Sequence, residues 1–236
     1  MDEVRLDPSR VRTRRHEATQ ALLGDTIGIT DEQWQAPSRL PGWTRAHVAT
    51  HLARNADGLT RVIDQLVNDR PTSMYDSPTD ADWAVEAGSS RSALELQTDL
   101  DASAGRLHER LPKLTHMRAD RLVPLTHKVT VRLDHIPIVR LNELVVHHVD
   151  LNLGFGWGDV CPEVATWLLD HNARRVGRAS GYPAIRLRAD SGFTTIVGGP
   201  GRPITVEGPD HLLLGWLTGR LPSSQVDERL PELPVR

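Results

Sequence analysis

The sequence predicts an α+β protein: an antiparallel four-helix bundle followed by a smaller α/β domain. Three observations predict it. Segments with apolar residues at helical spacing fill the chain as far as Leu153, with helix-start and helix-stop residues between them. Beyond Gly154-Phe-Gly-Trp-Gly158 the pattern changes to short strand-like stretches parted by Gly, Pro and Ser. One segment, Arg140–Asp150, is apolar around most of its circumference yet carries a line of ionisable groups, as expected of a helix enclosed by its neighbours with a site in the bundle core. The expected division is residues 1–153 and residues 159–236.

The elements follow in order. Asp7 to about Leu23 reads as a helix, with Asp7 as N-cap, Pro8 at the first helical position and Gly24 near the end. Thr30-Asp-Glu-Gln-Trp34 looks like one capped turn. Ser38–Trp43 is a loop, and Thr44 suits the N-cap of a helix running to about Asn68, before Pro71. Val48, Leu52, Leu59, Val62, Ile63 and Leu66 form its core stripe, and His47, His51, Asn55 and Gly58 a second, polar-to-small line at the same period. A loop from Pro71 contains Met74-Tyr-Asp-Ser-Pro78. A third helical region covers Asp82–Ala87 and Ser92 to about Arg110. Alternating Val123, Leu125, Val129, Val131 and Leu133 suggest a brief hairpin, and the polar-striped helix spans about Ile136 to Leu153. In the second half a helix near Pro162–Ala179 precedes strands at Ala184–Ala189, Thr194–Val197 and Pro203–Glu207. A last helix, Asp210–Thr218, ends at Gly219-Arg220, and the tail from Pro222 is expected to be loose.

Composition narrows the function. Hydrophobic residues make up 39% and charged ones 25%, which places the chain among soluble globular proteins. A net charge of −3 argues against a nucleic-acid partner. Basic residues do cluster at Arg10–Arg15, where a solvated helix face accounts for them. Cys161 alone excludes an intrachain disulfide and a Cys-rich zinc module. With neither a signal peptide nor an apolar run near eighteen residues, the expectation is a cytoplasmic protein without a membrane partner, a monomer or weak homo-oligomer acting on a small molecule.

The chemistry concentrates on Arg140, Glu143, His147 and Asp150, spaced three, four and three residues apart and so sharing one helical ridge. Burying such groups without partners costs about 2–7 kcal/mol even for an uncharged one. Glu143 and His147, at i and i+4, are spaced to hold one metal ion, and the second helix offers His47 and His51 as further ligands. Two histidines and a glutamate with an open position compose a catalytic zinc site. A polar core network and surface coincidence are the competing explanations. His148 lies about 100° round the helix from His147, so the two do not face one ion.

Pro41-Gly-Trp-Thr-Arg-Ala-His-Val-Ala-Thr-His51, with Arg140-Leu-Asn-Glu-Leu-Val-Val-His-His-Val-Asp-Leu151, resembles the mycothiol-dependent maleylpyruvate isomerase family. Met74–Pro78 and the closing Leu212–Arg220 share the likeness, which spans nearly the whole chain. The resemblance implies a DinB-like four-helix zinc-binding domain over 1–153 and a sterol-carrier-like α+β domain over 159–236. It implies zinc ligands at His51, Glu143 and His147, with His47 matching a family position without ligating. Arg140 and Asp150 would orient the ligands or meet substrate, and Arg220, from a second domain closing over the zinc face, would be the catalytic cation. The implied cofactors are Zn2+ and mycothiol, and the implied reaction converts maleylpyruvate to fumarylpyruvate by thiolate addition, bond rotation and elimination. One departure stands out: where the family carries an arginine three positions after Ser-Pro, this chain has Ala81, followed by Asp82. That leaves open a mycothiol S-transferase acting on another electrophile, besides a non-catalytic zinc-bound module and a metal-activated water.

Overall fold

The structure is a computed structural model; it describes Val4, residues 6–177 and residues 181–234. The fold class is α+β, as the hydrophobic periods predict. The chain divides into two units: Pro8–Gly154, and Phe155 onward together with the lead before Pro8.

The first unit is built on α1 (Pro8–Thr26), α3 (Arg45–Val67), α5 (Ala93–Arg110) and α6 (Ile136–Asp150), with the shorter α2 (Asp31–Trp34) and α4 (Pro78–Gly88) beside them. Local chemistry sets the boundaries. Thr30, Thr44 and Ser92 each accept a backbone N–H from the first turn of the helix they start, and each receives the reciprocal side-chain bond of a capping box. At Thr44 the returning group is His47, which occupies a position usually filled by glutamate or glutamine. α1 runs through Gly24 to Thr26, because Thr26 is drawn inward and its hydroxyl bonds Leu22 O at 2.9 Å. The ionisable helix stops at Asp150 rather than Leu153, since Asn152 adopts a positive φ of 55° that ends the helical run.

α3 and α6 lie antiparallel. Arg45 near the start of α3 donates to Leu151 O at 2.8 Å and Asn152 O at 3.0 Å, while Arg140, near the start of α6, reaches Asn55. One apolar cluster gathers Leu22, Trp34, Val48, Leu52, Leu96, Leu100 and Leu144; another gathers Leu59, Val62, Ile63, Leu107, Ile136 and the hairpin residues Val123 and Leu125. Full burial of each such side chain contributes about 1.5–3 kcal/mol. The hairpin is β1 (Leu122–Pro124) against β2 (Thr130–Arg132), antiparallel, with Leu122 opposite Arg132.

In the second unit, β3 (Ile185–Ala189), β4 (Thr194–Val197) and β5 (Ile204–Gly208) form a sheet in the order β4-β3-β5. β4 runs antiparallel to β3 and β5 parallel to it, with Ile185 opposite Ile204. α7 (Pro162–Val176) and α8 (Asp210–Leu217) complete the unit. The turn after β4 needs Gly198: its φ is +87°, and an added Cβ would lie 2.0 Å from Pro183 O. Ala179, expected at the end of α7, lies outside the described residues. The tail is not loose as expected. Leu230 is buried, Trp216 Nε1 donates to Pro231 O at 2.9 Å, and Ser223 bonds Glu232. The indole N–H needs an acceptor once its ring is buried, a demand that local sequence does not reveal. Among the described residues no helix is long and apolar enough to cross a membrane.

Candidate metal centre

The antiparallel pairing of α3 and α6 sets the polar line of one helix against that of the other. Arg140, almost fully buried, extends Nη1 to Leu52 O at 2.9 Å and Asn55 Oδ1 at 2.8 Å. It therefore braces the turn of α3 that follows His51. Burial pushes its guanidinium down to about 10, partly offset by the charge of Glu143. One turn along, Glu143 Oε2 lies 3.0 Å from His51 Nε2 and 3.5 Å from His147 Nε2. The two imidazole rings meet edge to face with centroids 4.6 Å apart. His147 Nδ1 is 2.9 Å from Asp150 Oδ2, and Asp150 is wholly buried. The carboxylate fixes a proton on Nδ1 and leaves Nε2 turned toward Glu143.

Electrostatics follow this geometry. Burial alone would raise Glu143 and lower His147. The imidazoles of His147 and His51 reverse the first, so Glu143 lies well below the usual carboxylate range. The carboxylates of Asp150 and Glu143 reverse the second, so His147 lies above its ordinary value. His51 is lowered, first by burial and then by the neighbouring His147. At neutral pH the cluster thus presents an ionised carboxylate beside a neutral His51.

One ligand atom from each of His51, Glu143 and His147 lies within 4.8 Å of the other two. Metal–ligand bonds of about 2.0–2.1 Å at tetrahedral angles separate ligand atoms by roughly 3.3–3.4 Å. The 3.0 and 3.5 Å separations here bracket that value. The donor set and its spacing fit a divalent ion of the zinc type.

The other histidines of α3 and α6, His47 and His148, are committed elsewhere. His47 Nδ1 accepts from Thr44 N at 3.2 Å, and its Nε2 lies 3.3 Å from Glu86 on α4. His148 points to the far side of α6, where Nε2 meets Asp25 of α1 at 2.9 Å. Two aromatic neighbours went unassigned in the sequence although both sit in the quoted motifs. The Trp43 indole lies 5.7 Å from the His51 ring and stacks on His47. The Tyr75 phenol is pushed up to about 12, first by burial and then by the charge of Glu143. Asn55, noted only for its position, supplies the acceptor that holds Arg140. Gly58, the last member of that line, keeps space for Met74, whose Cε would lie 2.9 Å from an added Cβ. Arg220 belongs to the second unit, where its Nη1 donates to Thr218 O at 2.7 Å.

Fold and site together define a helical-bundle protein whose core presents a His/Glu/His cluster suited to one metal ion. The family model for the mycothiol maleylpyruvate isomerase N-terminal domain matches residues 15–152, more than half of the chain, and the protein belongs to that family. Two crystal structures are similar over 98% of each chain: the mycothiol-dependent maleylpyruvate isomerase, with TM-score 0.83 and 22% identity, and a variant of it with one histidine replaced by alanine, with TM-score 0.84 and 22% identity. At that identity the likeness establishes the fold. Comparison with curated proteins yields no match.

Proposed function

We propose that the chain holds a zinc ion through His51, Glu143 and His147 and acts as a mycothiol-dependent isomerase converting maleylpyruvate to fumarylpyruvate. The observation that carries this reading is the approach of the three ligand atoms to within 4.8 Å inside the segment matched by the family model. A zinc ion held by these three residues would supply the Lewis acidity that favours the thiolate, the nucleophilic form, of a low-molecular-weight thiol.

The chain's own residues have separable tasks. Glu143 brings one negative charge and the two imidazoles none, so the site leaves a divalent cation a net positive charge that favours an anionic partner. Asp150 holds the His147 ring and its tautomer, and Arg140 fixes the α3 backbone beside His51. The Trp43 ring lies tilted beside that of His51, with centroids 5.7 Å apart. Arg220 is the proposed cation for a substrate carboxylate, on the strength of the resemblance, through the two parallel hydrogen bonds that a guanidinium offers. We extend the resemblance likewise to the proposed domain assignment, a DinB-like unit followed by a sterol-carrier-like one.

A second reading rests on Ala81. Maleylpyruvate carries two negative charges, and the lost cation at this position favours a mycothiol S-transferase acting on a less charged electrophile. Metal analysis of the purified protein, followed by turnover of maleylpyruvate with and without mycothiol, tests both. Isomerisation with mycothiol recovered free supports the first reading. A stable conjugate supports the second, and thiol-independent turnover or a metal-free active protein overturns both.

A further inference from the structure

The basic run Arg10–Arg15 does not behave as one solvated helix face. Arg15 is only 4% exposed, and its Nε is buried without a hydrogen-bond partner. Its nearest polar contact is not an acid but another basic side chain: Nη2 lies 3.4 Å from His108 Nδ1 on α5. His16, the next residue along α1, places its ring 5.6 Å from that of His108. Arg12 is one turn before Arg15, and its charge adds to burial in pushing the Arg15 guanidinium down to about 10. Among the described residues, no carboxylate oxygen comes within ion-pair distance of Arg12, Arg15, His16 or His108. The nearby acids are engaged elsewhere, Glu17 with Arg14 and Glu109 with Arg110.

This arrangement is costly as it stands. A guanidinium stays charged at any ordinary pH, and a buried charge lacking a counter-charge costs several kcal/mol. Ion pairs offset that cost at the cationic clusters elsewhere in the bundle: Arg54 and Arg91 share Asp99, and Arg106 meets Asp57. No carboxylate plays that part here. A guanidinium has no lone pair to offer, so His108 Nδ1 accepts from Arg15, and the neutral ring carries its proton on Nε2. His16 and His108 are both exposed, so a solute can approach their rings, with the buried arginine behind them.

We infer that Arg15, His16 and His108 form a binding site for a phosphate-type oxyanion on the face of the bundle shared by α1 and α5. A tetrahedral oxyanion has oxygens for the arginine and for imidazoles on two helices at once. A carboxylate spends both of its oxygens on one guanidinium fork. Arg12 adds charge at the rim without being buried. The site shares no residue with the His51/Glu143/His147 cluster, although the Arg15 charge is felt by Arg140, and it does not depend on the reaction assigned to that cluster.

The test uses the full-length, metal-loaded protein, with inorganic phosphate titrated against chloride at equal ionic strength. One phosphate per chain should bind by calorimetry, and at a hundredfold excess over Kd the melting temperature should rise by roughly 5 °C. The double variant His16→Gln/His108→Gln, changed only at exposed positions, should melt like the parent in chloride and lose most of the phosphate shift. Arg15→Met should lose the shift as well, and should melt higher than the parent in phosphate-free buffer because it removes an uncompensated buried charge. Glycerol 3-phosphate in place of inorganic phosphate asks whether the ligand is a phosphomonoester: tighter binding assigns an organic phosphate, weaker binding the free ion. Absence of any phosphate-specific shift overturns the site, as does an undiminished shift in the double variant. A lower melting temperature for Arg15→Met in phosphate-free buffer also counts against it, since Arg15 would then already be compensated within the fold.

Discussion

Each of the two units buries acidic groups, but to different ends. In the second unit Asp210 sits at the start of α8 and accepts from Thr166 Oγ1 at 2.7 Å, Ser191 Oγ at 2.6 Å and Ser191 N at 3.2 Å. Asp170 takes Arg174 Nη2 from its own helix and Val4 N from the lead segment. Every partner is a donor that needs an acceptor, so these carboxylates join a helix to a second helix, a turn or the chain start. In the first unit Glu143 faces two imidazoles whose Nε2 atoms are themselves ligand-type groups. There the supporting bonds lie one layer out, in Asp150 and Arg140, and the imidazoles, once deprotonated, would turn lone pairs toward one centre. A carboxylate surrounded by donors serves architecture; one set between two imidazoles is placed so that it could hold a cation.

The comparison can be broken by exchanging the two outcomes. Glu143→Gln keeps the shape and removes the charge. It should abolish stoichiometric zinc binding and thiol-dependent turnover while leaving the melting temperature of the metal-free protein within a few degrees of the parent. Elemental analysis and circular dichroism check this. A metal-free variant with full activity would detach the cluster from catalysis, and an unfolded one would make the metal structural. His51→Ala should behave alike.

A step outward, Asp150→Asn should weaken metal affinity by about 10–100-fold, the usual effect of losing the partner that orients a ligating histidine. Competition with a chelator of known affinity measures it, and an unchanged constant would mean that packing alone holds the His147 ring.

Asp210→Ala should do the opposite, costing about 2–3 kcal/mol of stability by leaving three donors short of an acceptor, with zinc content unchanged. Denaturant unfolding alongside metal analysis decides it. Loss of metal in this variant would erase the contrast between the units.

The smallest effect is a pH dependence. His147, raised above 6.5, adds stability to the metal-free fold below pH 6.5, and that stability is lost as pH rises through its folded value. His51, lowered, works the other way, since protonating it costs the fold stability as pH falls below 6.5. Glu143, lowered, contributes above pH 4.5 and loses that contribution as pH falls through its folded value. The two windows meet at pH 6.5, so the metal-free protein should melt highest near that pH and at lower temperature on either side of it. Metal binding requires both rings neutral. Between 6.5 and the raised value of His147, uptake should therefore release about one proton, and affinity should fall about tenfold per pH unit on going down. Calorimetry in buffers of different ionisation heat reads the proton directly; none released would place His147 already neutral.

How much of this was legible beforehand differs by residue. Thr44, Ser92 and Thr30 announce their helices because an N-cap acts within three residues of itself, and the spacing of Glu143 and His147 defines one face because a helix has a fixed period. The α+β class and the His51, Glu143 and His147 candidates come from such short-range rules together with the family motifs. Other features required chain segments far apart in sequence. Asn55 matters because Arg140 lies opposite it, 85 residues away, and His148 differs from His147 because Asp25 faces only one of them. The tail is held by the unmet indole N–H of Trp216, and Arg15 leaves solvent although its neighbours in the run do not. Local sequence sets backbone capping and periodicity, since both are satisfied within one or two turns. Whether a polar side chain ends beside a donor, an acceptor or nothing depends on which helix packs against it, and that only the tertiary structure decides.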